Sequence, residues 1–71
     1  MTDIQGEVLF EFRVLGNAVR VAAIHAPTNT EVVVVCPVSY TEFSMRQAAL
    51  RKLRRALERR AAGDPAPYRG A

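Results

Sequence analysis

Hydrophobic and polar positions alternate along Glu7–Leu15, EVLFEFRVL. Val8, Phe10, Phe12 and Val14 fall on one side, and Leu9, Glu11, Arg13 and Leu15 on the other. A period of two carrying aromatic and β-branched residues predicts a half-buried strand. Gly16-Asn17 then reads as a two-residue hairpin loop in which Gly16 supplies the positive φ of a type II′ turn. Ala18–His25, AVRVAAIH, returns as a second strand. This loop sets Val14 against Val19, Phe12 against Val21 and Phe10 against Ala23, an apolar face throughout. The opposite face sets Arg13 against Arg20, Glu11 against Ala22 and Leu9 against Ile24. The register demanded by the turn and the one demanded by the hydrophobic pattern coincide.

Ala26–Thr30, APTNT, predicts a second turn, with Asn29 the residue suited to a left-handed backbone. Glu31–Cys36, EVVVVC, predicts a third strand ended by Pro37; the longer loop leaves its register open. Ser39–Glu42 has the form of a capping box, Ser39 capping a helix whose Glu42 reaches back. From there to about Ala62 the chain is rich in helix formers. Phe43, Leu50, Leu53, Leu57 and Ala61 make an apolar stripe, widened by Ala49 and Ala56. Gly63 is a natural stop, reinforced by Pro65. The expected fold is α+β: a three-stranded antiparallel meander packed by one C-terminal helix, β-β-β-α. It would occupy residues 1–62 as one domain, with a loose tail over 63–71.

Charge is unevenly placed. Arg46–Arg60 holds seven of the ten basic residues and one acid, Glu58, so it sums to +6 in a chain whose net charge is +3. That asymmetry permits a nucleic acid, an acidic protein or an anionic surface as partner without requiring one. A single cysteine, Cys36, rules out an internal disulfide and suits a reducing compartment. MTDIQGEV lacks the basic and apolar regions of a signal peptide, and the longest apolar run, Val32–Cys36, is far below the ~18 residues of a membrane span. The expected setting is the cytoplasm, without membrane insertion.

The residues GEVLFEF, GNAVRV, TNTEVVVVCP and the helix core ALRKLRRALERR together resemble a family of short uncharacterised alphaproteobacterial proteins of unknown function. The resemblance covers Gly6–Arg60. It implies one compact unit with the same order of strands, turns and helix, and it implies no activity. Cys36 departs from the pattern, in which a small residue such as Gly precedes the Pro.

Candidate chemistry is sparse. His25 and Cys36 are the single members of their kind, and His25 is expected at a frayed strand end in water. Together they fall short of a metal site, and no phosphate-binding glycine loop is present. The expectation is a non-enzymatic protein without cofactors.

Two surfaces remain. On a helical wheel Arg51, Lys52, Arg55 and Arg59 oppose Leu50 and Leu57, with Arg54 on the flank, a candidate contact for phosphates or an acidic partner. Two arginines, Arg13 and Arg20, are too few for a DNA-reading sheet face. The third strand is apolar on both sides, yet a meander puts it at the sheet edge, where nothing within it blocks pairing. This predicts a homodimer, joined either through the third strands or back to back through Leu9, Ile24, Val33 and Val35. A self-associating protein-binding module is therefore the leading expectation, with a nucleic-acid-binding accessory protein as the alternative.

Overall fold

A computed structural model describes residues 4–63. Strands β1 (Val8–Leu15), β2 (Ala18–His25) and β3 (Thr30–Pro37) are followed by helix α1 (Glu42–Ala61). The strands form one antiparallel sheet in the order β1-β2-β3. The α+β, β-β-β-α architecture expected from the pattern is therefore the one observed. Pro65 and the expected tail beyond Gly63 lie outside the described residues.

The first hairpin has the predicted register, with Val14 opposite Val19, Phe12 opposite Val21 and Arg13 opposite Arg20. Gly16 has φ +63°, the left-handed value that a II′ turn needs at its first central position. Asn29, at φ +56°, is the one described non-glycine residue with positive φ, and it turns β2 into β3. That turn sets the register the pattern left open: His25 faces Thr30, Val21 faces Val34 and Val19 faces Cys36. Val32, Val34 and Cys36 thereby share the helix side with Val19, Val21 and Ala23.

The cap differs from expectation. Pro37–Tyr40 closes as a turn, the Tyr40 amide donating to the Pro37 carbonyl at 3.0 Å, so Ser39 sits inside that turn. Thr41 is the N-cap, its hydroxyl accepting from the Ser44 amide at 3.0 Å. At the other end the Gly63 amide donates to the Arg60 carbonyl at 3.1 Å, the bond of a Schellman-type stop.

Val19, Val21, Ala23 and Cys36 of the sheet meet Met45, Ala49 and Leu53 of the helix in the core. The helical contact is a row spaced by four, with Leu50 and Leu57 half-buried beside it. Phe43 does not belong to it and is 72% exposed. It lies two residues before Met45, about 200° around the helix, which turns it away from the sheet.

The helix packs over β3 and β2 rather than centrally. The helix side of β1 is therefore poorly covered: Val14 is 68% and Phe12 38% exposed. Over Phe10 and Phe12 lies the Arg46 guanidinium, 5.5 and 5.7 Å from the ring centroids and paired with Glu42.

Candidate functional site

The outer sheet face carries the aliphatic residues expected there. Leu9 and Val35 are exposed, Ile24 and Val33 half-buried, and Leu15 stands exposed next to the hairpin loop. Ala22 is fully buried at the centre of this face. In this region Arg13 and Arg20 lie directly opposite one another, and no described acid forms an ion pair with either.

The two sheet edges differ. Opposite Ala22, Val33 turns its backbone outward, and Lys52 Nζ donates to the Val33 carbonyl at 2.8 Å. Pro37 ends the same strand without an N–H. The β3 edge, expected to be unprotected, thus has one central carbonyl capped and no N–H at its last residue. Lys52 remains exposed but, unlike the other basic candidates, directs its ammonium to the sheet edge. The β1 edge has neither device.

Of the remaining basic candidates, Arg51, Arg54, Arg55 and Arg59 are all exposed. Arg54 lies 3.9 Å from Glu58 one turn on, and no acid is paired with Arg51, Arg55 or Arg59 among the described residues. The free part of the basic face is therefore a row of three arginines spaced by four.

His25 is not in water. It is 6% exposed, and both ring nitrogens are engaged: Nε2 with the Gln5 carbonyl at 2.6 Å, Nδ1 with the Thr28 hydroxyl at 2.7 Å. Because a carbonyl only accepts, Nε2 must carry the proton. In the neutral ring Nδ1 then accepts from Thr28, whose oxygen accepts from Thr30 at 2.8 Å. The ring ties the segment before β1 to the β2–β3 turn. It borders an open cleft of about 490 Å³, lined also by Ile4, Arg54, Leu57 and Glu58. Cys36 is buried opposite Val19, six residues along β2 from His25, or about 20 Å at strand rise. The two do not form a catalytic pair within the chain.

A family model described as a domain of unknown function (DUF6898) matches residues 5–60. The chain belongs to that family. No curated protein and no solved structure matches it. The matched span opens at Gln5, whose carbonyl holds His25, and closes at Arg60, whose carbonyl takes the helix-ending bond. The DUF6898 domain thus coincides with the hydrogen-bonded unit.

Within the DUF6898 domain, no three of the described His, Cys, Asp and Glu residues gather as a metal site would require. No described helix is long and apolar enough to cross a membrane. Sequence reasoning missed Met45, the His25–Thr28–Thr30 chain and the Lys52 contact. The Thr28-x-Thr30 spacing just after His25 was the one available hint, since hydroxyls two apart across a tight turn can meet. For Lys52 no local signal existed.

Proposed function

We propose that this chain is a cytoplasmic, self-associating interaction module that works by binding rather than by catalysis. The observation that carries the reading is the uncovered sheet. One helix covers one side of β2 and β3, while Leu9, Leu15 and Val35 on the other side stand in water beside Ile24 and Val33. Antiparallel sheets commonly turn one face to solvent, but that face is then polar. An aliphatic one marks an interaction surface. Small size points the same way, because a domain of this length buries a smaller fraction of its surface than a larger one does. The separation of His25 from Cys36, and the use of both imidazole nitrogens in structural bonds, favour binding over catalysis. Sedimentation velocity of the full chain from micromolar to millimolar concentration tests the proposal. A species of twice the 7.8 kDa chain mass is expected, and a chain that stays at 7.8 kDa throughout overturns it.

A second reading rests on Arg51, Arg55 and Arg59, which would serve as phosphate contacts for a nucleic acid. Each contact adds about 0.9 to the log–log salt slope on duplex DNA. Replacing all three with Gln should flatten that slope, whereas failure to bind duplex DNA at ~50 mM salt removes the idea.

A further inference from the structure

In an antiparallel ladder, alternate residues turn their N–H and C=O toward a given neighbour. The two-residue hairpin closes on Leu15 and Ala18 as a bonded pair, so Leu15, Arg13, Glu11 and Leu9 bond inward to β2. The Glu7 carbonyl continues the series by accepting from the Ala26 amide at 3.0 Å. The amides and carbonyls of Val8, Phe10, Phe12 and Val14 therefore point out from the free edge of β1, and among the described residues none of them is hydrogen-bonded. Eight residues long and without Pro or Lys, this edge carries only Glu11 and Arg13 as charges against pairing.

We propose that β1 pairs antiparallel with β1 of a second copy of this chain, about a two-fold axis through Phe12. The proposal rests on the self-association reading and places the contact at the β1 edge, which leaves Ile24, Val33 and Val35 of the outer face uncovered. Charge complementarity selects both the partner and the register. An axis through Glu11 sets that carboxylate against its own copy, and an axis through Arg13 does the same with two guanidinium groups. Through Phe12, Glu11 faces the partner's Arg13, and Arg13 faces the partner's Glu11. On the same outer face Leu9 meets the partner's Leu15, and Leu15 the partner's Leu9. On the helix side Phe12 meets its own copy, and Phe10 lies beside the partner's Val14. Opposite charges and apolar pairs set directly across a ladder stabilise it, and like charges destabilise it.

This register also supplies the missing counter-charge. Arg13 and Arg20 oppose one another within the chain. In the pair, the row across the sheet becomes Arg20, Arg13 and the partner's Glu11, so a carboxylate stands against the cationic pair. The product is a six-stranded sheet with both helices on one face, because the axis is perpendicular to the sheet. Each helix leans toward its own β3. The exposed Phe12 and Val14 of both copies then floor the channel between the helices. An unrelated strand would satisfy the backbone groups but not the reciprocal Glu11–Arg13 match.

The test is sedimentation equilibrium of the full chain as wild type, Glu11→Arg, Arg13→Glu and the double exchange. Each single exchange should weaken dimerisation by about tenfold or more, since it puts like charges opposite one another twice. The double exchange should restore it. Independently, Phe12→Cys in a Cys36→Ala background should oxidise to a covalent dimer, because bonded pairs lie ~5.5 Å apart at Cα. Val35→Cys in that background should not. A wild-type dimer that is indifferent to the single exchanges, or that cross-links through Val35→Cys alone, overturns the β1 interface and leaves self-association standing. A wild-type chain that remains monomeric ends both.

Discussion

The Lys52 ammonium donates a hydrogen bond to the Val33 carbonyl across 2.8 Å and caps that acceptor at the centre of the β3 edge. A sheet edge is a row of unpaired backbone groups, and a lysine laid along it is one of the common ways to blunt it. The valine run Val32–Val35, apolar and β-branched, thereby has one outward carbonyl capped by a residue about twenty positions later.

Replacing Lys52 with Met keeps the aliphatic stem and removes the donor. The bond is solvent-exposed, so the loss in folding free energy should be about 1 kcal/mol or less. The larger effect should be faster light-scattering aggregation at raised temperature, with quicker exchange of the edge amides of β3. Aggregation at the wild-type rate would show that the contact does not guard the edge.

His25 should matter to folding out of proportion to its position at a strand end. Replacement by Phe fills similar volume but leaves the Gln5 carbonyl and Thr28 hydroxyl without their partner. A cost of about 1–3 kcal/mol is expected, read as a lower urea midpoint at constant m-value. A His25→Phe midpoint equal to wild type would mean that the ring acts by bulk alone.

Leu53 and Phe43 are both large and apolar on the same helix, yet opposite results are expected. Leu53→Ala empties a fully buried site and should cost about 2–5 kcal/mol, a large part of the stability of a domain this small. Phe43→Ala should stay within about 0.5 kcal/mol. Comparable losses at both positions would contradict the observed rotation of the helix.

Thr41→Ala should remove about 1 kcal/mol through loss of the cap, while Ser39→Ala, inside the preceding turn, should be nearly silent. Thermal melts of the two variants separate them, and the reverse order would return the cap to Ser39.

What was legible in the sequence follows from the range of each interaction. Alternation in Glu7–Leu15, the Gly16-Asn17 loop and the hairpin register agree because neighbours in sequence determine all three. Asn29 and Gly63 were readable for the same reason, their backbone conformations being local. The cap was misplaced by two residues because Ser39 and Thr41 both precede helix formers. Only the turn closed by Pro37 and Tyr40 decides between them.

The candidate surface was half legible. The outer-face positions of Leu9 and Ile24 follow from strand parity in the first hairpin, while those of Val33 and Val35 depend on the β2–β3 register, and all four lie on the side expected. Which edge stays open does not follow from parity. It depends on the helix leaning toward β3, which brings Lys52 to Val33 and leaves Phe12 and Val14 of β1 uncovered.

By itself, then, the sequence determined the elements, their order and the faces of the first hairpin, through periodicity and turn chemistry acting over a few residues. The tertiary structure alone decided the lateral seat and rotation of the helix, the burial of His25 and the exposure of Phe43. Those depend on distances between residues far apart in the chain, where side-chain volume and hydrogen-bond reach, rather than pattern, determine which groups meet.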